Sequence, residues 1–368
     1  MANYVKRGKT WQYEISYKKT NGTYAKLRQG GFRTKSDASA VAIELENELK
    51  KGYDPSKKDM LLSEYYKSWI ALYKKSSVSE RTYRRYLDTL SNIEKYFEFD
   101  SLSDMTKAKY QEGLNSFAET HAKATTKRFH THIRACILEA LDEKVIFKDF
   151  TRTAIIVGKN PTKRPDEKYL NYEDFKALMK ACESRLDERY TSPYLILIGG
   201  FTGARYSELL GLTWNDIDFD SLTINIDKSW NLLTNDFGDL KNESSKRVID
   251  IDRHTANILN DLKKKQIVTK ENLVFYNQEN GMITSNAVNK TLKKIQQQLD
   301  IEPAITFHGL RHTNASVLLY QGIDIMYVSA HLGHKDISIT QEVYSHILDE
   351  MKQKIKPKVS AVLESIYE

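Results

Sequence analysis

Only two cysteines, Cys136 and Cys182, occur in the 368 residues, which leaves no disulfide framework and no cysteine-built metal site. No apolar run approaches the ~20 residues that a membrane-spanning helix needs. The first residues, Met-Ala-Asn-Tyr-Val-Lys-Arg-Gly, lack the apolar stretch of a secretion signal, so a cytoplasmic, nucleoid-associated protein is the expectation. There is no internal repeat and no low-complexity tract. Neither charge sign dominates either: 56 Lys and Arg against 49 Asp and Glu give a net charge of +7, which by itself does not establish a nucleic-acid partner. At this length the chain holds two or three domains with real cores.

The distribution of charge says more than its sum. Lys6, Arg7, Lys9, Lys18, Lys19, Lys26, Arg28, Arg33 and Lys35 crowd the first 36 residues against a single acid, Glu14, the pattern of a phosphate-facing surface. Within that block Trp11, Tyr13, Ile15 and Tyr17 alternate with polar residues, the period of a half-buried strand. Thr20-Asn21-Gly22 signals a hairpin turn, Tyr24 to Gln29 makes the return strand, and Gly30-Gly31-Phe32 is expected to break the sheet. Thr34 or Ser36 can cap a helix through Ala38, Val41 and Leu45 that stops at Lys51-Gly52. Lys26 and Arg28 fall on the sheet face opposite the aromatic one and are candidate DNA contacts.

From Leu61 to about Ile156 the spacing is helical almost throughout, which predicts a four- or five-helix bundle. One helix is expected to begin at Thr125-Thr126, burying Ile133 and Ile137 while Lys127, Arg128 and Arg134 face outward as further candidate DNA contacts. Gly158-Lys159-Asn160-Pro161-Thr162-Lys163-Arg164-Pro165 holds two of the six prolines and reads as a linker. Beyond it come helices over Tyr172–Glu183, Pro193–Gly200 and Ser207–Gly211, then strands at Leu222–Ile226 and Val248–Ile251. Helices are expected from His254 to the end.

Chemistry concentrates in this last part. His308-Gly-Leu-Arg311 follows Thr306, a plausible helix cap, so both side chains leave a first turn where backbone N–H groups also favour an anion. Leu332-Gly333-His334 and Tyr344 follow. Upstream, Arg205 and Glu208 share a helix face, which taken alone is only a salt bridge worth ~0.3–0.5 kcal/mol. Together these residues supply two forked cations, two proton carriers and a nucleophile, the requirements for metal-free attack on a phosphodiester.

The run Thr202-Gly-Ala-Arg-Tyr-Ser-Glu-Leu-Leu-Gly-Leu-Thr-Trp, then His308-Gly-Leu-Arg-His-Thr, Leu332-Gly333-His334 and Tyr344-Ser345-His346 resembles the successive boxes of the tyrosine recombinases, the phage-integrase family. The resemblance implies a multidomain α+β chain. Residues 1–58 would be an arm-type DNA-binding domain of three strands plus a helix, 59–164 a helical core-binding bundle and linker, and 165–368 a mainly α catalytic domain with a small β-sheet. It implies Arg205, His308, Arg311, His334 and Tyr344 as catalytic residues, with Glu208 orienting Arg205. Lys241 would be the general acid on a β-hairpin, with Lys246 as its rival. The implied activity is site-specific integration and excision of a phage or conjugative element through a 3′-phosphotyrosine, with no cofactor and no metal. The implied partners are double-stranded DNA with core-type and arm-type sites and a homotetramer on that DNA, with a host DNA-bending protein and an excisionase as further candidates.

Three other readings stand beside it. A nicking-closing topoisomerase would use the same chemistry, but the basic amino-terminal module argues against it. A catalytically silent DNA-binding regulator is disfavoured by the intact residue set. A metallohydrolase built on His308, His312, His331 and His334 lacks the cysteine or clustered carboxylates that would complete a ligand set.

Overall fold

Alternation along one strand organises the amino-terminal module. The protein is represented by a computed structural model that describes residues 2–18, 22–50, 55, 59–161, 165–240, 242–266, 269–277, 281–341 and 344. Strands β1 (Asn3–Arg7), β2 (Thr10–Lys18) and β3 (Tyr24–Phe32) form an antiparallel sheet in that order. Tyr13 and Ile15 point to one face and pack on Ala42 of helix α1 (Lys35–Lys50). Thr34 caps this helix: its hydroxyl accepts the Asp37 N–H and its own N–H donates to the Asp37 carboxylate, both at 3.1 Å. The expected break at Gly30-Gly31 does not occur. β3 runs on to Phe32 because the register shifts opposite Trp11 and Tyr13, and Gly31 takes a positive φ of 94° that a side chain would resist. Thr20 and Asn21 of the anticipated turn, and the helix stop at Lys51-Gly52, lie outside the described residues.

Four helices follow. They are α2 (Leu62–Trp69, continued through a wider turn at Ile70–Lys74), α3 (Glu80–Tyr96), α4 (Lys107–Ala118) and α5 (Lys123–Asp142). Their apolar stripes close on Leu62, Tyr66, Ile93, Phe97, Tyr110, Leu114, Ile133 and Ile137. Helix α5 starts at Lys123, before the expected Thr125-Thr126, because the chain turns at Ala122 and Thr126 is buried inside the first turn with its hydroxyl on the Ala122 carbonyl. Lys127 and Arg128 are exposed. Arg134 is not, as expected, an outward-facing cation: it binds Asp149 at 2.7 Å and the Thr151 hydroxyl at 2.9 Å, tying α5 to the segment after it.

Residues Met1–Thr162 and Lys163–Glu368 form separate compact units. The second begins with α6 (Tyr172–Glu183), α7 (Thr191–Thr202) and the short α8 (Tyr206–Leu210). Next come β4 (Ile217–Asp218), β5 (Thr223–Ile226), β6 (Ser229–Asn231), β7 (Asp236–Gly238) and β8 (Arg247–Asp250). Strands β4, β5 and β8 make a three-stranded antiparallel sheet, and β6 pairs with β7 in a hairpin held by Trp230 against Phe237. Those strands are only three residues long, too short for periodicity to register. After α9 (Arg253–Lys265) the expected all-helical ending is interrupted by β9 (Tyr276–Asn277) and β10 (Gly281–Met282), before α10 (Ser285–Gln298), α11 (Phe307–Tyr320) and α12 (Ile325–Leu332). Helix α7 is apolar all round and buried, so it runs through the core rather than over it. Gly199 allows this: a Cβ there would lie 2.6 Å from the Phe307 ring of α11. Among the described residues no helix is long and apolar enough to cross a membrane.

Candidate active site

Helix α7 delivers the chain to the site and stops there on Gly203. This residue has a left-handed φ of 61°, and an added Cβ would sit 2.8 Å from Leu332 and 2.9 Å from the Asn314 side chain. Only glycine fits both the backbone and the space. Asn314 donates from its side-chain amide to the Gly200 and Phe201 carbonyls at 3.0 and 2.8 Å, which satisfies helix-end acceptors and locks α11 to α7.

Arg205 occupies the N-cap position of α8, one residue earlier than a place inside the helix. Its own N–H donates to Glu208 at 2.9 Å and its guanidinium donates to the other carboxylate oxygen at 2.5 Å. A second nitrogen reaches the Gly333 carbonyl at 3.4 Å. Arg311, only 4% exposed, forks between the Gly203 carbonyl at 2.9 Å and the Leu332 carbonyl at 2.6 Å. The two arginines are thus fixed by consecutive carbonyls at the end of α12, where Gly333 turns the chain at φ 67°. Thr306 stands at the N-cap of α11 but makes no capping bond; the Asn289 side-chain oxygen accepts the Phe307 N–H instead, at 2.8 Å.

A third arginine joins them. Arg247 donates to Glu208 at 2.9 Å, to the His331 carbonyl at 2.7 Å and to the Ser245 carbonyl at 2.8 Å. Arg205 and Arg247 therefore share the one carboxylate of Glu208, and with Arg311 close enough to feel all three groups the neighbourhood carries an excess of two positive charges (three minus one). Burial, then Arg205 and Arg247, lower the Arg311 pKa to about 9, so it remains charged at neutral pH. A shielded cationic excess of this kind favours an anion, and fixed forks suit phosphate oxygens.

The imidazoles around the arginines are held neutral. Burial first and Arg311 second push His334 down to about 4, while its Nδ1 bonds the Thr340 hydroxyl at 2.8 Å. The His308 pKa is lowered too, first by loss of solvent around its ring, then by Arg311 and Arg205. His312 lies edge-on to His308 with ring centroids 4.9 Å apart, and its Nδ1 is 2.9 Å from the Tyr344 phenolic oxygen. Tyr344 is 2% exposed; burial raises its pKa and Arg311 opposes that rise. His331 contributes its backbone carbonyl to Arg247. Among the described residues no group of three metal-ligating side chains occurs.

The structure thus brings Arg205, Glu208, His308, Arg311, His334 and Tyr344 into one neighbourhood. Lys241 lies outside the described residues, and Lys246 is exposed and paired with Glu243 at 3.0 Å. Two members lie outside the expected catalytic set: Arg247, and His312, which the sequence offers only as a metal ligand. Arg247 was detectable: it is in phase with the buried Ile249 of β8 while Val248 faces out, and a cation on the inward face of a strand needs a partner.

Residues 168–351 match the phage integrase family, 3–49 an arm DNA-binding domain and 61–118 the SAM-like N-terminal domain of phage integrases. The chain belongs to the phage integrase family. It is a tyrosine recombinase, similar to a XerC-like tyrosine recombinase of Caldanaerobacter subterraneus subsp. tengcongensis (25% identical, covering 95% of this chain and 96% of that protein). The integrase of Staphylococcus phage L54a is 24% identical over 80% of this chain and 91% of its own length. The ICEBs1 integrase of Bacillus subtilis is 23% identical over 90% and 93%. Among solved structures, the recombinase shares its fold with the Tn1549 transposon integrase in complex with transposon right end DNA (TM-score 0.65, 18% identity, 81% of this chain and 99% of that one). A lambda integrase dimer bound to a COC′ core site matches at TM-score 0.60 and 17% identity, over 93% and 94%.

Proposed function

We propose that this recombinase integrates and excises a mobile element, a phage or a conjugative element, with Tyr344 as nucleophile and Arg205 and Arg311 as the phosphate clamp. The observation that carries the reading is the gathering of Arg205, Arg247 and Arg311 around a single carboxylate, Glu208, which pairs with the first two, in the same neighbourhood as a buried tyrosine. Arg205 and Arg311 grip the non-bridging oxygens and stabilise the charge that develops on them. The Tyr344 oxygen forms a bond to phosphorus as the bond to the 5′ oxygen breaks, leaving a 3′-phosphotyrosine and a free 5′-hydroxyl. The ester's energy is conserved in that linkage, so rejoining needs neither ATP nor metal. His334 hydrogen-bonds the phosphate, and His308 handles a proton at the attacking or leaving oxygen. Lys241 gives the leaving oxygen its proton, with Lys246 as the alternative donor. Glu208 and Arg247 hold Arg205 in place.

Residues 1–58 serve as the arm-type DNA-binding domain, 59–164 as the core-binding domain and linker, and 165–368 as the catalytic domain. Lys26, Arg28, Lys127 and Arg128 contact DNA. The exposed sheet face carries the cations: Glu14 holds Lys26 at 2.7 Å and also pairs with Arg28. Four copies act on paired sites in the bacterial cytoplasm, aided by a host DNA-bending protein and an excisionase. Linking two DNA-binding modules raises the effective concentration of one site for the other.

The test is incubation with an end-labelled duplex bearing the attachment site recovered from DNA flanking the gene, with chelator and without ATP, followed by denaturing electrophoresis. A protease-sensitive covalent band is expected. A native-gel shift with no covalent band would make the protein a binder, and chelator sensitivity would make it a metal-dependent enzyme.

A further inference from the structure

Helix α11 carries two imidazoles on one side, His308 in its first turn and His312 one turn later. Only the second is bonded to the phenol: His312 Nδ1 lies 2.9 Å from the Tyr344 oxygen, and the tyrosine is shielded from water at 2% exposure. A phenol buried this deeply cannot release its proton to bulk solvent, so a partner inside the protein has to receive it. We infer that His312, rather than His308, is the catalytic base that takes the Tyr344 proton. The assignment rests on Tyr344 being the nucleophile.

The step balances without any added reagent. The Tyr344 O–H donates to the Nδ1 lone pair, and the proton moves to nitrogen as the oxygen's electron pair forms the bond to phosphorus. The bond to the 5′ oxygen breaks, and that oxygen takes its proton from the general acid of the proposed mechanism. On rejoining, the 5′-hydroxyl attacks and returns its proton to the deprotonated general acid, the phosphorus–tyrosine bond breaks, and the imidazolium returns its proton to the phenol.

Charges around His312 fit a base that stays empty until it is needed. His308 and Arg311 flank it on α11, Lys168 faces it from the segment before α6, and His334 faces it from beyond α12. Burial and these neighbours hold its pKa at about 4, so the lone pair is free at neutral pH. A weak base suffices, because a phenolic oxygen becomes strongly acidic as it bonds to phosphorus. Proton transfer of this kind contributes typically about 10²–10⁴-fold in rate. His308 is then left to act at the leaving side or on the phosphate.

The experiment compares full-length wild type with His312→Asn and His312→Gln in single-turnover cleavage of a nicked duplex carrying the attachment site. Either amide can hydrogen-bond the phenol but cannot take its proton, and either variant that melts near the wild type decides the matter. DNA affinity should be unchanged, while adduct formation at neutral pH should fall by at least about 100-fold. The deficit should shrink as pH rises from neutral and hydroxide takes over removal of the phenol's proton, and added imidazole should restore part of the rate. Cleavage within about threefold of wild type overturns the assignment, as does a deficit that is the same at every pH and unmoved by imidazole. Absence of any Tyr344 adduct in the wild type overturns the nucleophile itself and this inference with it. An adduct in the wild type together with an unaffected variant overturns only the role of His312.

Discussion

Arg247 and Glu208 form an ion pair of 2.9 Å in which the two side chains are only 5% and 2% exposed. Neither residue reaches the nucleophile, yet the pair fixes the carboxylate that in turn holds Arg205. Removing one member of a buried pair strands the other's charge, which costs about 3–5 kcal/mol. Since Glu208 would keep Arg205, Arg247→Met should fall near the low end, about 3 kcal/mol, measured by urea unfolding. Arg247→Lys should rescue little, because an ammonium cannot fork to Glu208, Ser245 and His331 together. A lysine variant with wild-type stability and cleavage would remove this residue from the site's framework.

Gly203→Ala tests the close approach of α7 to α11 and α12. The left-handed backbone and the 2.8 Å contact with Leu332 both oppose a methyl group, and the combined strain is about 1–3 kcal/mol. Because the Gly203 carbonyl also holds Arg311, cleavage should fall more than the melting temperature alone explains. Unchanged cleavage in a folded variant would show that Arg311 does not depend on that carbonyl.

Acid should destabilise the folded chain ahead of ordinary acid denaturation. His312, His331 and His334 are lowered from 6.5 to about 4 by burial and neighbouring arginines. Between those values the unfolded chain binds protons that the folded chain refuses, so stability is present above 6.5 and is lost as pH falls toward about 4. Melting temperatures recorded across that window should decline steadily, and substituting all three imidazoles should flatten the decline. A flat profile in the unaltered protein would contradict the buried neutral imidazoles.

Much of this was readable in the sequence because both periodicity and spacing were strong. The alternation at Tyr13 and Ile15 and the span Tyr172–Glu183 carry over unchanged into strand and helix. What stayed hidden was set by distant contacts. Arg134 looks like a surface cation until Asp149 folds back onto it, and Gly30-Gly31 looks like a break until a bulge lets β3 continue. Asn289 replaces Thr306 at the start of α11 for the same reason: a residue far upstream reaches the amide first. His312 could be seen as a histidine, but only the fold brings Tyr344 to its ring.

The amino-terminal module makes a separable prediction. A truncation beginning at Asp59 should still cleave core sites, while losing integration between full attachment sites. If the basic sheet neutralises Z phosphates, log affinity for arm DNA should fall with log salt at a slope of about −0.9Z. Full integration by the truncated protein, or a fragment 1–58 that binds no DNA, would end the bivalent account.

The most direct measurement is the identity of the residue that becomes covalently joined to DNA. A nicked duplex carrying the attachment site would be trapped by the wild-type protein, digested, and the DNA-linked peptide sequenced by mass spectrometry. The account predicts a 3′-phosphate on Tyr344 and no adduct in Tyr344→Phe, with DNA affinity retained. An adduct on Tyr320, Tyr327 or any other residue, or one that persists in the phenylalanine variant, would contradict it.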